Sequence, residues 1–135
     1  MSAVATTTSK ALIPEVDADF LSEKGYSFDV QPENGAVWVI IRDFPFPAPY
    51  TPNQAELLVQ LPAGYPNAKP DMFWTSPDIK LSSGAWPKSS DVHETHCGRT
   101  CQRWSRHFPD DRWRPGTDNM RSYLASIRAE LAQGL

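Results

Sequence analysis

The sequence predicts an α+β domain with a strand-rich middle between two helices. Three observations carry this. Ala36-Val-Trp-Val-Ile-Ile41 is a continuous apolar run of strand character, as expected of a strand covered on both faces. Met120, Leu124, Ile127 and Leu131 recur at helical spacing and fall on one face of a helix. Thirteen prolines in 135 residues, about twice the usual share, favour strands and loops over long helices.

Each element follows from local signals. Residues 1–13 are rich in Ser, Thr and Ala and are expected to be disordered, leaving 14–135 as one domain. The stretch from Pro14 to Gly25 reads as a short helix, acidic in its first turns and stopped by Gly25. Tyr26 to Val30 is a strand. Pro32-Glu-Asn-Gly35 is a turn marked by Asn34-Gly35, and the apolar run from Ala36 is the next strand. Phe44-Pro-Phe-Pro-Ala-Pro-Tyr50 is a proline-locked connection. Gln54 to Leu61 and Asp71 to Thr75 are the third and fourth strands. Short links make a four-stranded antiparallel meander the simplest arrangement, flanked by an N-terminal and a C-terminal helix. Trp38, Phe73, Trp74 and Trp86 are expected in the core. Phe44, Phe46 and Tyr50 are expected to be a proline-stiffened cover over a sheet edge. From Ser76 to about Arg112 no periodic element is evident. Long irregular segments in compact domains are functional or disordered; the Trp, His, Cys and Arg here point to function. The last helix begins near Thr117, with Thr117 or Asp118 as its cap.

Composition narrows the function. One domain of this length can bury an adequate core without disulfide or metal staples. A net charge of −3 argues against a general nucleic-acid binder. No run resembles a membrane span, and the N-terminus lacks a signal-peptide pattern, so a cytoplasmic protein is expected. Cys97 and Cys101, only four residues apart, do not resemble a secreted disulfide framework. They are expected to be free thiols, metal ligands or a labile redox pair.

The densest chemistry lies in Cys97-Gly-Arg-Thr-Cys-Gln-Arg-Trp-Ser-Arg-His107, followed by Trp113-Arg-Pro115. Thiols, a hydroxyl, an imidazole and guanidinium groups stand together just before a helix. Reactive groups at the entrance to a rigid element suit covalent group transfer.

The chain resembles the ubiquitin-conjugating (E2) superfamily. Leu61-Pro-Ala-Gly-Tyr-Pro-Asn-Ala-Lys-Pro70 is similar to the E2 segment in which a strand ends at a Tyr-Pro turn. Phe73-Trp74-Thr75 is similar to the strand after it, and Trp113-Arg-Pro115 to the E2 Trp-Ser-Pro element behind the active site. The Gln102-Arg-Trp-Ser-Arg-His107 string resembles the bacterial E2-like family encoded beside E1-like and multi-ubiquitin-like proteins. The resemblance implies a carrier that accepts a ubiquitin-like C-terminus from an E1-like enzyme and passes it to an amine of a target protein. It implies no small-molecule cofactor, because ATP is spent at the E1 step, and neither nucleic acid nor membrane as partner. It also suggests a bacterial conjugation system, with antiphage defence as a setting. The E2 His-Pro-Asn motif is absent; His93-Glu-Thr-His96 is the nearest replacement.

Two nucleophiles compete. In the E2 pattern the catalytic Cys stands eight residues before the Trp of Trp-x-Pro, and counting back from Trp113 gives Ser105. Chemistry favours Cys101, because a thiol is partly ionised near neutral pH and Arg99, Arg103 and Arg106 are expected to lower its pKa. Serine needs a positioned base, for which His107 or His96 is available. A serine would carry an oxyester, a cysteine a thioester. Arg99, Arg103, Arg106 and Trp113 are expected to bind the incoming tail or carrier. Three rival readings stand beside this. His93, His96, Cys97 and Cys101 offer zinc-type ligands at an unfavourable spacing. The arginines and Trp104, Trp113 and Phe108 resemble a single-strand nucleic-acid binder. An E2-like domain without a working nucleophile would be a scaffold for a ubiquitin-like protein.

Overall fold

A computed structural model describes residues 12–109 and 112–133. In chain order they form α1 (Glu15–Glu23), β1 (Phe28–Glu33), β2 (Ala36–Pro45), β3 (Tyr50–Thr51), β4 (Gln54–Leu61), β5 (Phe73–Ser76), β6 (Lys80–Leu81), β7 (Val92–His96), β8 (Arg99–Trp104) and α2 (Met120–Gln133). The main sheet runs β1-β2-β4-β5-β8-β7, and its neighbours pair antiparallel. β3 and β6 form a separate two-stranded ribbon. Most of the segment 1–13 lies outside the described residues; Ile13, at its end, is buried.

The sheet therefore has six strands where the sequence reading expected four. The addition is the β7–β8 hairpin, inside the segment read as irregular. Its turn is Cys97-Gly98, with φ of 53° and 79°, between the paired residues His96 and Arg99. Positive φ at both central residues is the two-residue hairpin geometry that matches strand twist. Asn-Gly advertises such a turn, as Asn34-Gly35 does here, whereas Cys-Gly does not. β7 itself is Val-His-Glu-Thr-His, with too little apolar alternation to be read as a strand.

The face toward the helices holds the main core. Val39, Ile41, Leu57, Val59, Phe73 and Trp104 pack there against Phe20 and Leu21 of α1 and Met120, Tyr123, Leu124, Ile127 and Leu131 of α2. All four stripe residues of α2 are buried, as the periodicity predicts. Its cap is neither Thr117 nor Asp118. Asn119 Oδ1 accepts the Arg121 N–H at 3.0 Å, and the buried carboxylate of Asp17, from α1, accepts the Met120 N–H at 3.0 Å. Asp17 also receives the Tyr65 hydroxyl at 2.7 Å. Phe44, Phe46 and Tyr50 belong to this core rather than to an exposed cover. A register shift after Ile41 turns the strand end inward, and the Tyr50 hydroxyl donates to Leu131 O at 2.9 Å.

The opposite face has a smaller core of Trp38, Ile40, Leu58, Trp74 and Cys101. Trp38 to Ile41 are thus buried on both faces, as their unbroken apolar run requires. The sheet curls over this second face. His96, at the tip of one edge strand, stacks on Trp38 with ring centroids 4.3 Å apart and pairs with Glu33 at the end of the other edge strand. Trp86 lies outside both cores, half-buried under Lys80 and beside His93.

Candidate functional site

Strand alternation sorts the candidate residues. Arg99, Cys101 and Arg103 alternate along β8 on the face away from the helices. Gln102 and Trp104 point the other way, as their buried bonds to Thr75 and Ile79 require. Glu94 pairs with Cys101 and His96 with Arg99, so both lie on the same face as the arginines.

These side chains form one connected network. His96 Nδ1 pairs with Glu33 Oε2 and its Nε2 with Glu94 Oε1, both at 2.9 Å. The second oxygen of Glu33 accepts the Cys97 N–H at 2.7 Å and so holds the turn. Glu94 also accepts Trp74 Nε1–H at 2.9 Å and Arg103 Nη1–H at 2.7 Å. Arg103 Nε–H then donates to Ser105 Oγ at 2.9 Å. Arg99 leaves this chain for Glu56 at 2.7 Å. The Cys97 amide and the His96 hydrogen bond keep Glu33 below the usual glutamate range. Burial would raise Glu94, but its bonds from His96, Trp74 and Arg103 outweigh that and lower it. Trp38 sits under the network, and its buried indole N–H has no hydrogen-bond partner among the described residues.

Both thiols are pushed toward their protonated forms. Cys101 is fully buried, and desolvation raises its pKa. Three arginines were expected to lower it; of the three only Arg99 does, and its charge and the bond to the His96 carbonyl are outweighed by desolvation. Arg103 is committed to Glu94 and Ser105, and Arg106 turns to the other side of the strand. Cys97 is partly exposed, but burial and the Glu33 charge push its pKa up to about 11. Both are free thiols.

Ser105 stands just past the end of β8, half-buried, in a tight turn closed by the Arg106 N–H to Trp104 O at 2.8 Å. Arg106 points inward and is 4 % exposed. Its guanidinium donates to Lys88 O at 3.0 and 3.2 Å and lies 5.1 Å from the Trp104 ring, so it ties the loop to the core. His107 turns outward and bonds Asp71, Nδ1 to Oδ2, at 2.6 Å. His96 reaches Ser105 only through Glu94 and Arg103. Trp113 donates its indole N–H to Pro66 O at 2.8 Å and packs on Tyr65. The Tyr-Pro turn and the Trp-x-Pro element, far apart in sequence, thus meet in space. Trp113 also lines a cavity of about 170 Å³ with Lys69, Phe108 and Tyr123.

The zinc-type residues are not gathered. His93 pairs with Asp78 at 2.8 Å, His96 is held by two carboxylates, and no cluster of three or more potential metal ligands occurs among the described residues. The sequence reading missed Asp71, Glu33 and Glu94. Their only signal was a carboxylate near a turn or in a polar strand, which is the commonest of surface patterns.

An antiparallel curled sheet with helices at both ends of the chain, and a Tyr-Pro turn packed on a Trp-x-Pro element, define an E2-like domain. Over residues 13–134 the chain matches the family model of prokaryotic E2 family E, and it belongs to that family. No curated protein and no solved structure matches it. No helix among the described residues is long and apolar enough to cross a membrane.

Proposed function

We propose that this E2-like domain is a carrier. It receives the C-terminus of a ubiquitin-like protein from an E1-like enzyme and passes it to an amine of a target protein. Ser105 is its acceptor, and the covalent intermediate is an oxyester. The observation that carries this reading is the state of Ser105. It is the reachable hydroxyl at the strand end, held by Arg103, while Cys101 is fully buried and both thiols are pushed toward their protonated forms. Attack by Oγ places negative charge on the acyl oxygen. The Arg103 guanidinium beside it stabilises that charge. His107, turned outward two residues on, serves as base. Arg99 and Arg103, exposed by about a third on their side chains, are the arginines left to meet an acidic or carboxylate-bearing partner; Arg106 is not available for that.

A scaffold without chemistry is the second reading. It is favoured by the hydrogen bond of Ser105 Oγ, which is to a cation and not to a base. Intact mass after incubation with an E1-like enzyme, ATP and the ubiquitin-like protein separates the two. The carrier reading expects one adduct, lost in Ser105→Ala and kept in Cys101→Ala. An adduct lost in Cys101→Ala and kept in Ser105→Ala moves the site to the thiol, and no adduct at all leaves the scaffold.

A further inference from the structure

His107, the base of the carrier reading, is paired with Asp71, a carboxylate to which that reading gives no role. Asp71 Oδ2 takes the Nδ1 side of the ring at 2.6 Å. Its other oxygen accepts Lys69 Nζ at 3.3 Å and the Phe108 N–H at 3.4 Å. The carboxylate is therefore held from three sides. Burial would raise its pKa, but the hydrogen bond from His107 and the bond and charge of Lys69 keep it lowered, hence ionised. The next residue, Met72, has a φ of 61°, a left-handed conformation uncommon for a non-glycine residue. Tyr123 of α2 holds its carbonyl in place, donating its hydroxyl to Met72 O at 2.6 Å. A helix thus holds the peptide next to the carboxylate, and the carboxylate holds the ring. The imidazole itself is largely exposed, its side chain 66 % accessible. A surface ion pair has no need of such support.

We infer that Asp71 is a positioning residue that holds His107 with its Nε2 bare and facing outward, as a proton acceptor for the amine that attacks the acyl group. The inference rests on the carrier reading and adds to it the group that orients the base. An ionised carboxylate accepts from Nδ1–H and thereby selects the tautomer whose Nε2 lone pair is free. In the transfer step the amine lone pair forms the C–N bond to the ester carbonyl carbon, and Nε2 takes the proton that the nitrogen sheds. The C–O bond to Ser105 breaks, and its Oγ takes that proton back. Ester and amine become amide and serine, with no oxidant and no cofactor. Asp71 touches neither the acyl group nor the amine, so it acts only through the ring.

Two measurements test this. The first is nitrogen-15 NMR of histidine-labelled full-length protein. Neutral His107 is expected to carry its proton on Nδ1, and Asp71→Asn is expected to mix the tautomers. A proton on Nε2 in the wild-type protein overturns the inference. The second bypasses the unidentified partners. The Ser105→Cys, Cys97→Ser protein is loaded from a diglycine thioester, and transfer to free lysine is followed by intact mass. Adding Asp71→Asn is expected to slow transfer at least about tenfold, Asp71→Glu to restore part of it, and His107→Ala to be rescued by free imidazole. Transfer at an unchanged rate in Asp71→Asn overturns the inference. If the wild-type protein takes no adduct from an E1-like enzyme while diglycine transfer still depends on Asp71, the carrier reading fails and the role of the pair in aminolysis stands.

Discussion

At the scale of single residues, Arg103 is the hinge of the account. It joins the carboxylate network of the hairpin to the Ser105 hydroxyl with two different nitrogens, a geometry that a lysine cannot reproduce. Arg103→Lys should therefore slow adduct formation while costing no more than about 1 kcal/mol in denaturant unfolding, since a part-exposed ion pair is worth little. A loss of stability that matches the loss of rate would mean that Arg103 is structural. Little of this was legible in the sequence. The spacing to Trp113 offered Ser105 as a candidate, and the arginine-rich string drew attention to the region. Which arginine touches the serine depends on strand parity, and parity was invisible because β8 was not recognised as a strand. Arg99, Arg103 and Arg106 look alike in the string. One pairs with Glu56, one supports Ser105, and one is packed into the core.

At the scale of elements, the α2 stripe was read directly, since a 3.6-residue period needs no knowledge of its neighbours. Leu124→Ala should destabilise by roughly 2–5 kcal/mol, because Leu124 is fully buried; equilibrium urea unfolding measures this. The cap of that helix was not legible, because Asp17 reaches it from the other end of the chain. The hairpin was missed for a different reason. Its turn uses Cys97 in a left-handed conformation, and its strands bury their residues under a curl of the sheet that no local pattern encodes. A methyl group added at Gly98, where φ is 79°, would meet nothing within 4 Å. Gly98→Ala should still cost about 1 kcal/mol through backbone strain alone, and hydrogen exchange should show the loss confined to β7 and β8. Fast exchange spread over β2 and β4 instead would contradict a local effect.

At the scale of the whole molecule, the two edges of the sheet are joined by Glu33 and His96, with Glu94 holding the other side of the same ring, so closure of the curl has an ionic part beside its apolar core. Both glutamates are lowered in the folded state. A lowered carboxylate contributes stability above its unfolded pKa and loses it as pH falls through the folded value. The closure should therefore hold at neutral pH and weaken below about pH 4, starting from the ordinary glutamate range. Replacing Glu33 and Glu94 together by Gln should flatten the acid limb of the melting temperature plotted against pH. An acid limb as steep as that of the wild type would place the acid-labile groups elsewhere. Cys101 lies beneath this closure, so its burial and the choice of Ser105 rest on the same feature.

The central claim, that the acyl group sits on the Ser105 oxygen, is tested most directly by the chemistry of the bond. The adduct formed with an E1-like enzyme and ATP is treated with thiol reductant or with hydroxylamine, for the wild type and for Ser105→Cys, and its mass is followed. The account predicts a wild-type adduct that survives the thiol and is cleaved by hydroxylamine, and a Ser105→Cys adduct that the thiol removes. A wild-type adduct that the thiol removes would contradict it and put the acyl group on a cysteine.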